Sequence, residues 1–165
     1  MVSKVRIITT NAFIAAMYAV FTMAIAPLAY GQIQFRLTEV LVLICFFRKD
    51  YIFGLTIGCA IANMYSDLGI YDVLFGTLAT FIACLGIIFS KHLAIAIFFP
   101  VISNAFIVGA ELYFLLKLPF WANVLWVGLG ELAVMIVGYI LFTLLKRSPR
   151  FLEEIGATQN KEFKW

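Results

Sequence analysis

Residues 7–35, IITTNAFIAAMYAVFTMAIAPLAYGQIQF, contain no charged side chain. About 20 apolar residues carry an α-helix across a bilayer, so this stretch is long enough to span one. Equally apolar runs follow as far as residue 145, and 73–90 and 93–110 nearly suffice alone. The first run is too long for a removable signal peptide, and its apolar successors argue the same way. With 165 residues, 64% hydrophobic and 13% charged, and a mean hydropathy of +1.04, the chain has the composition of an integral membrane protein. A barrel needs alternating polar residues that are absent, so the spanning elements are helices, whose backbone groups are satisfied internally.

Turn signals divide the chain into six helical segments: about 5–25, 37–47, 51–65, 72–90, 93–116 and 121–145. Pro27, the Arg48-Lys49-Asp50 run, Ser66-Asp67-Leu68-Gly69 and Pro119 mark breaks between them. An even number of crossings puts both termini on one face. That face receives Lys4, Arg6, Arg48, Lys49, Lys91, Lys146, Arg147, Arg150, Lys161 and Lys164, while the other receives only Arg36 and Lys117. The positive-inside rule therefore places both termini in the cytoplasm. The expected organisation is a six-helix membrane domain over 1–149, which binds substrate, and a polar cytoplasmic tail over 150–165.

Cys45, Cys59 and Cys84 lie in apolar runs, are odd in number and lack C-x-x-C spacing, which reads as buried small hydrophobes. The single histidine, His92, falls at a cytoplasmic turn. There is no G-x-S-x-G, no H-E-x-x-H and no Cys/His cluster, so neither a catalytic nor a metal constellation is expected. No basic patch interleaved with stacking aromatics points to nucleic acid. Small residues at helical spacing, Gly54-x3-Gly58-x3-Ala62, Ala12-x3-Ala16 and Ala15-x3-Ala19, allow close helix contact. Such stripes serve packing within the chain or a partner. The first helix, being terminal, can present its stripe outward.

Five carboxylates fall towards the outer side: Glu39, Asp67, Asp72, Glu111 and Glu131. A charge within the membrane is costly, so a carboxylate kept there reads as functional. At about 1.5 Å of rise per residue, Glu131 lies roughly 15 Å inside its helix's outer end. It sits in Gly128-Leu129-Gly130-Glu131, where glycines let a planar ligand approach the backbone. Asn104, Asn63, Gln34 and Arg36 approach the same level, and Asn104 shares a helix face with Glu111. Carboxylates, amides and a guanidinium together suit the edge of a nitrogen-rich heterocycle, with Tyr30, Phe35, Tyr65, Tyr71 and Trp121 as aromatic walls. Structural roles compete with these. Asp72 reads equally as an N-cap, Asp67 as a turn residue, Asn63 as interhelical glue, Glu39 as the partner of Arg36, and Glu111 as the partner of Lys117. Glu131 has no basic residue near it in its own helix; a proton-coupled carrier could also use it as a relay.

Tyr30-Gly31-x-Ile33-Gln34-Phe35-Arg36-Leu37-Thr38-Glu39, Gly54-Leu55-x-Ile57-Gly58-Cys59-x-Ile61-x-Asn63 and Asp72-Val73-x-Phe75-Gly76-Thr77-Leu78-Ala79-Thr80 resemble the QueT family. Pro100-Val101-Ile102-x-Asn104-Ala105 and Gly130-Glu131 continue the likeness, which runs from about residue 7 to 146. These proteins are substrate-binding S components of energy-coupling factor (ECF) transporters, assigned to queuosine precursors. The resemblance implies a six-helix S-component fold in a prokaryotic plasma membrane. It implies that Ala12, Ala15, Ala16 and Ala19 on the first helix form the surface that docks on a transmembrane coupling subunit. It also implies that the loop between the first two helices caps the substrate, and that the loaded S component topples in the membrane. Two partner ATPases, using ATP and Mg, would then drive release; this chain has no G-x-x-x-x-G-K-[ST] with which to hydrolyse ATP. The expected substrate contacts are Glu131, Asn104, Glu39, Asn63, Arg36, Asp72, Glu111, Gln34, Tyr30 and Trp121. The alternatives are an S component for another vitamin or nucleobase, and a stand-alone proton-coupled carrier.

Overall fold

A computed structural model describes residues 4–25 and 35–157. Within them every regular element is helical. The chain forms α1 (Lys4–Ala24), a 3-10 helix (Leu37–Phe46), a short 3-10 turn (Lys49–Tyr51), α2 (Ile52–Asn63), α3 (Ile70–Phe89), α4 (Leu93–Ala96), α5 (Phe98–Leu116), α6 (Phe120–Leu145) and α7 (Pro149–Glu154). Four stretches are long and apolar enough to cross a membrane: α1, α3, α4 with α5, and α6. Exposed Phe13, Phe53, Phe89, Phe114 and Leu144 give the bundle an apolar exterior, as a lipid environment requires. The chain is a multi-pass membrane protein.

The segment expected as a second α-helix is instead a ten-residue 3-10 helix, well beyond the usual three or four residues of that form. Its rise of about 2 Å per residue stretches it to about 20 Å, against about 15 Å for the same residues as an α-helix. Its period of three stacks Glu39, Val42 and Cys45 in one row and Val40, Leu43 and Phe46 in the next, and all six are buried. The helix packs against α6, α3 and α1. Gly138 of α6 makes room for it, since a Cβ there would lie 2.8 Å from Leu43 Cδ1.

The fifth segment is interrupted at Ile97. Pro100 has no N–H to offer the Ala96 carbonyl, and the chain restarts its helix at Phe98. The fourth helix begins at Ile70 after Gly69, which has φ +56°. Asp72 therefore sits inside the first turn and is not the N-cap, which frees its carboxylate for other partners.

The overlapping alanine stripes of α1 divide. Ala15 and Ala19 are buried, and Ala15 lies against Gly58 of α2. Ala12 and Ala16 are exposed beside Phe13 and Val20. Asn11 completes the α1–α2 seam by accepting from the Gly54 N–H at 2.7 Å. At the opposite end of the bundle from the outer carboxylates, residues 149–157 fold back onto the helices. Phe151 stacks edge-on against Phe47. Arg48 donates to the Gly156 carbonyl at 3.1 Å and Tyr51 to that of Ile155. The beginning of the polar tail is thus part of the packed bundle.

A Cβ at position 58 would lie 2.8 Å from the Ala15 carbonyl oxygen and 2.9 Å from its Cα. Backbone cannot yield as a side chain does, so Gly58→Val should destabilise the detergent-solubilised protein by about 1–3 kcal/mol. At Gly128 a Cβ would meet only Ala105 Cβ, at 3.4 Å, and Gly128→Ala should leave the melting temperature nearly unchanged. Equal shifts for the two variants in a thermal unfolding assay would contradict this packing.

Candidate functional site

Four of the five outer carboxylates come from four different elements and are all buried: Glu39 of the 3-10 helix, Asp72 of α3, Glu111 of α5 and Glu131 of α6. The fifth, Asp67, is exposed in the turn before α3 and stands apart. Arg36, immediately before the 3-10 helix and itself buried, is the cation that acts on all four. Its ion pair is with Asp72, at 3.5 Å, so the local pairing with Glu39 is displaced by one across the bundle. Gly76 permits this approach: a Cβ there would lie 3.2 Å from Arg36 Nη1 and 2.5 Å from Asn63 Nδ2.

Each carboxylate has a distinct setting. Glu39 Oε1 accepts from the Tyr18 hydroxyl of α1 and from Thr80 Oγ1 at 3.1 Å. Asp72 Oδ2 accepts from Ser66. Glu131 shares a tight cleft with Arg36, Asn104, Val108 and Val127. Glu111 faces Asp72 within reach of a carboxyl–carboxyl hydrogen bond, and no amide, hydroxyl or cationic donor reaches its oxygens. Lys117, at the exposed C-cap of α5, does not reach Glu111 to form an ion pair. Of the two amides, Asn63 is committed to structure: its Nδ2 donates to the Asp72 carbonyl at 3.0 Å and approaches Cys59 Sγ at 3.3 Å. Asn104 is buried beside Glu131 with its Nδ2 unpartnered.

Unpartnered buried polar atoms are rare in folded proteins and each calls for a reason. Here Glu39 Oε2, Asn63 Oδ1, Asn104 Nδ2, both oxygens of Glu111 and Glu131 Oε1 concentrate in one region. All but one are acceptors, so a ligand rich in N–H groups suits them.

The expected aromatic walls are placed differently. Trp121 is 73% exposed, and its ring edge meets Phe120. Tyr65 and Tyr71 are also exposed, and Phe35 packs on the core. The apolar flanks of the Glu131 cleft are the aliphatic Val108 and Val127. Tyr30 and Gln34 lie outside the described residues. Among the small residues of α6, Gly128 faces Ala105 with room for a Cβ between them. Among the described residues no group of three or more His, Cys, Asp and Glu is arranged to hold a metal ion.

Sequence reasoning passed over Tyr18 and Ser66, and gave Thr80 no role of its own. Tyr18 carried a detectable signal. Asn11, Tyr18 and Thr22 are spaced by seven and four in a charge-free helix, which puts three hydrogen-bonding groups on one face. All three look inward: Asn11 to Gly54, Tyr18 to Glu39, and Thr22 to Thr38 at 2.7 Å.

Breaking a buried ion pair from one side strands the other charge. Arg36→Gln should therefore destabilise the protein by about 3–5 kcal/mol. Adding Asp72→Asn should recover part of that loss. Denaturation of the two single variants and the double variant measures this; strict additivity would mean that the pair does not couple.

A family model described as QueT transporter matches residues 8–147. The queuosine precursor transporter QueT of Lactococcus lactis subsp. cremoris (strain MG1363) is 34% identical over 164 residues, covering 88% of this chain and 95% of that relative. No solved structure matches the chain.

Proposed function

The chain belongs to the QueT transporter family, a family of transporters rather than enzymes, and from that premise we propose that it is the substrate-binding S component of an ECF-type importer. Its substrate is a queuosine precursor or a queuine-like 7-deazaguanine captured from outside. The observation that carries this reading is the concentration of unpartnered acceptors on buried Glu39, Glu111 and Glu131 in one region of the bundle. A deazaguanine presents an N1–H and an exocyclic amine side by side, which one carboxylate accepts as a bidentate pair. Glu131 takes that role, and the Asn104 amide beside it serves the remaining polar edge. Glu39, Asn63, Arg36 and Asp72 hold the site together, and Gln34 and Tyr30 add ligand contacts.

The working arrangement has six membrane segments with both termini in the cytoplasm of a prokaryotic cell. Residues 1–149 form the binding domain and 150–165 the cytoplasmic tail. The 3-10 helix and α2 complete the crossings as the two short members. The exposed Ala12 and Ala16 of α1 meet the transmembrane coupling subunit, whereas the buried Ala15 and Ala19 support them from within. Toppling of the loaded protein carries the site inward, and two partner ATPases, supplied with ATP and Mg, drive release.

Cells expressing the protein with the coupling and ATPase subunits should accumulate labelled queuine, and cells lacking those subunits should not. Uptake that survives their deletion would instead make the chain a stand-alone carrier. Replacing Glu131 by Gln keeps the shape and removes the charge. It should weaken deazaguanine binding by about 1.5–3 kcal/mol, the worth of a hydrogen bond to a charged group. Calorimetry on the purified protein reads this directly, and an unchanged affinity removes Glu131 from the site.

A further inference from the structure

Asn123 is the single amide side chain of α6. An Asn early in a helix ordinarily caps it, bonds to a neighbouring helix or faces solvent. None of these holds here. The N-cap is Pro119, and no side chain caps this end. Asn123 stands four residues further on, where its backbone N–H donates to the Pro119 carbonyl at 3.0 Å. The residue is only 7% exposed, and its Nδ2 has no hydrogen-bond partner among the described residues. A buried amide donor left unpaired is destabilising, and an apolar side chain of the same size would fill the place without that cost.

Helical phase turns Asn123 towards the bundle interior. Asn123, Val127 and Glu131 follow one another at intervals of four, which sets them on one face of α6, and all three are buried. Val127 and Glu131 line the cleft that Asn104 and Val108 share, so Asn123 continues that wall one turn nearer Pro119. The packing of α5 on α6 fixes its level. Gly109 lies against Val124 and Gly128 faces Ala105. In this antiparallel register Asn123 stands level with Ala110, beside Glu111, while Glu131 stands level with Ile102, about 3 Å along the axis from Asn104. The seam between the two helices therefore carries, at each of two levels, a buried carboxyl group and a buried amide whose Nδ2 is unpartnered. Val108, Leu112 and Val127 form an apolar belt between the levels, which are about 12 Å apart along α6.

We infer that Asn123 is a further ligand-binding residue, whose Nδ2 donates to an acceptor atom, an oxygen or an unprotonated nitrogen, at the end of the ligand remote from Glu131. This rests on the binding-site reading above and carries the contact surface one turn beyond the cleft. The carboxyl groups accept from the ligand, and the two amides give its own acceptors a partner. A ligand lacking an acceptor at that end would leave the buried Asn123 donor unpaired and be disfavoured for that reason.

A ligand-binding role and a structural role move stability and affinity in different directions. Asn123→Leu keeps the size of the side chain and removes the amide. In the ligand-free, purified full chain its melting temperature should stay level or rise, because an unpaired buried donor has gone. Its calorimetric affinity for queuine should fall by about tenfold, as when a bound acceptor loses its donor. Asn123→Ala removes the donor without adding apolar bulk and should lose affinity to a similar extent. An affinity within about twofold of the unaltered protein's in either variant would overturn the inference and leave the deazaguanine reading standing. A lowered melting temperature for Asn123→Leu, or its failure to fold, would make Asn123 a structural residue and overturn the inference as well. If queuine does not bind the unaltered protein, the deazaguanine reading fails and this inference fails with it.

Discussion

One guanidinium holds the polar centre of this protein together. Arg36 stands at the foot of the 3-10 helix, pairs with Asp72 of α3 and acts on Glu39, Glu111 and Glu131 from three other elements. Each of those charges alone inside a membrane bundle would be costly. Grouped around a common counter-ion they become tolerable. The architecture at this end of the bundle delivers five charged side chains from four elements to one place.

That delivery depends on close packing and on an unusual helix. Gly76 lets the Arg36 and Asn63 side chains pass over α3, and Gly138 lets the 3-10 helix settle against α6. The 3-10 form matters because its threefold period points Glu39 to the same side as Val42 and Cys45. There Tyr18 and Thr80 meet Glu39 from α1 and α3. Where the same kind of small-residue packing serves α1 and α2, it uses Ala15 against Gly58 and leaves Ala12 and Ala16 outside. A single terminal helix thereby buries one small-residue face in the fold and leaves another exposed.

The two ends of the bundle follow different rules. Far from the carboxylates, Arg48 pairs with Asp50 at 3.1 Å and also donates to the Gly156 carbonyl, so charge is matched locally and the tail is tied down. Among the carboxylates, four buried carboxyl groups surround Arg36 and several buried acceptors have no donor. This polarity agrees with a transporter family whose related member in Lactococcus lactis carries queuosine precursors.

Membrane class, helical character and the segregation of charge were legible from the residues alone, because hydropathy and charge counts are local sums that no fold can alter. It also singled out Glu131, Asn104 and Arg36, since charge and amide groups in apolar runs stand out without coordinates. Which of them meet was set by the packing of the helices. Sequence spacing made Glu39 the natural partner of Arg36 and Lys117 that of Glu111, but Arg36 crosses to Asp72 and Lys117 stays at the surface. Trp121, an apparent wall, lies on the exterior, and Tyr18 enters because α1 turns that face inward. The break at Ile97 and the 3-10 winding of Leu37–Phe46 belong to the same category. Partner choice and helix winding depend on distances between segments far apart in the chain, and those distances are set by how backbones pack, at Gly58, Gly76 and Gly138 above all.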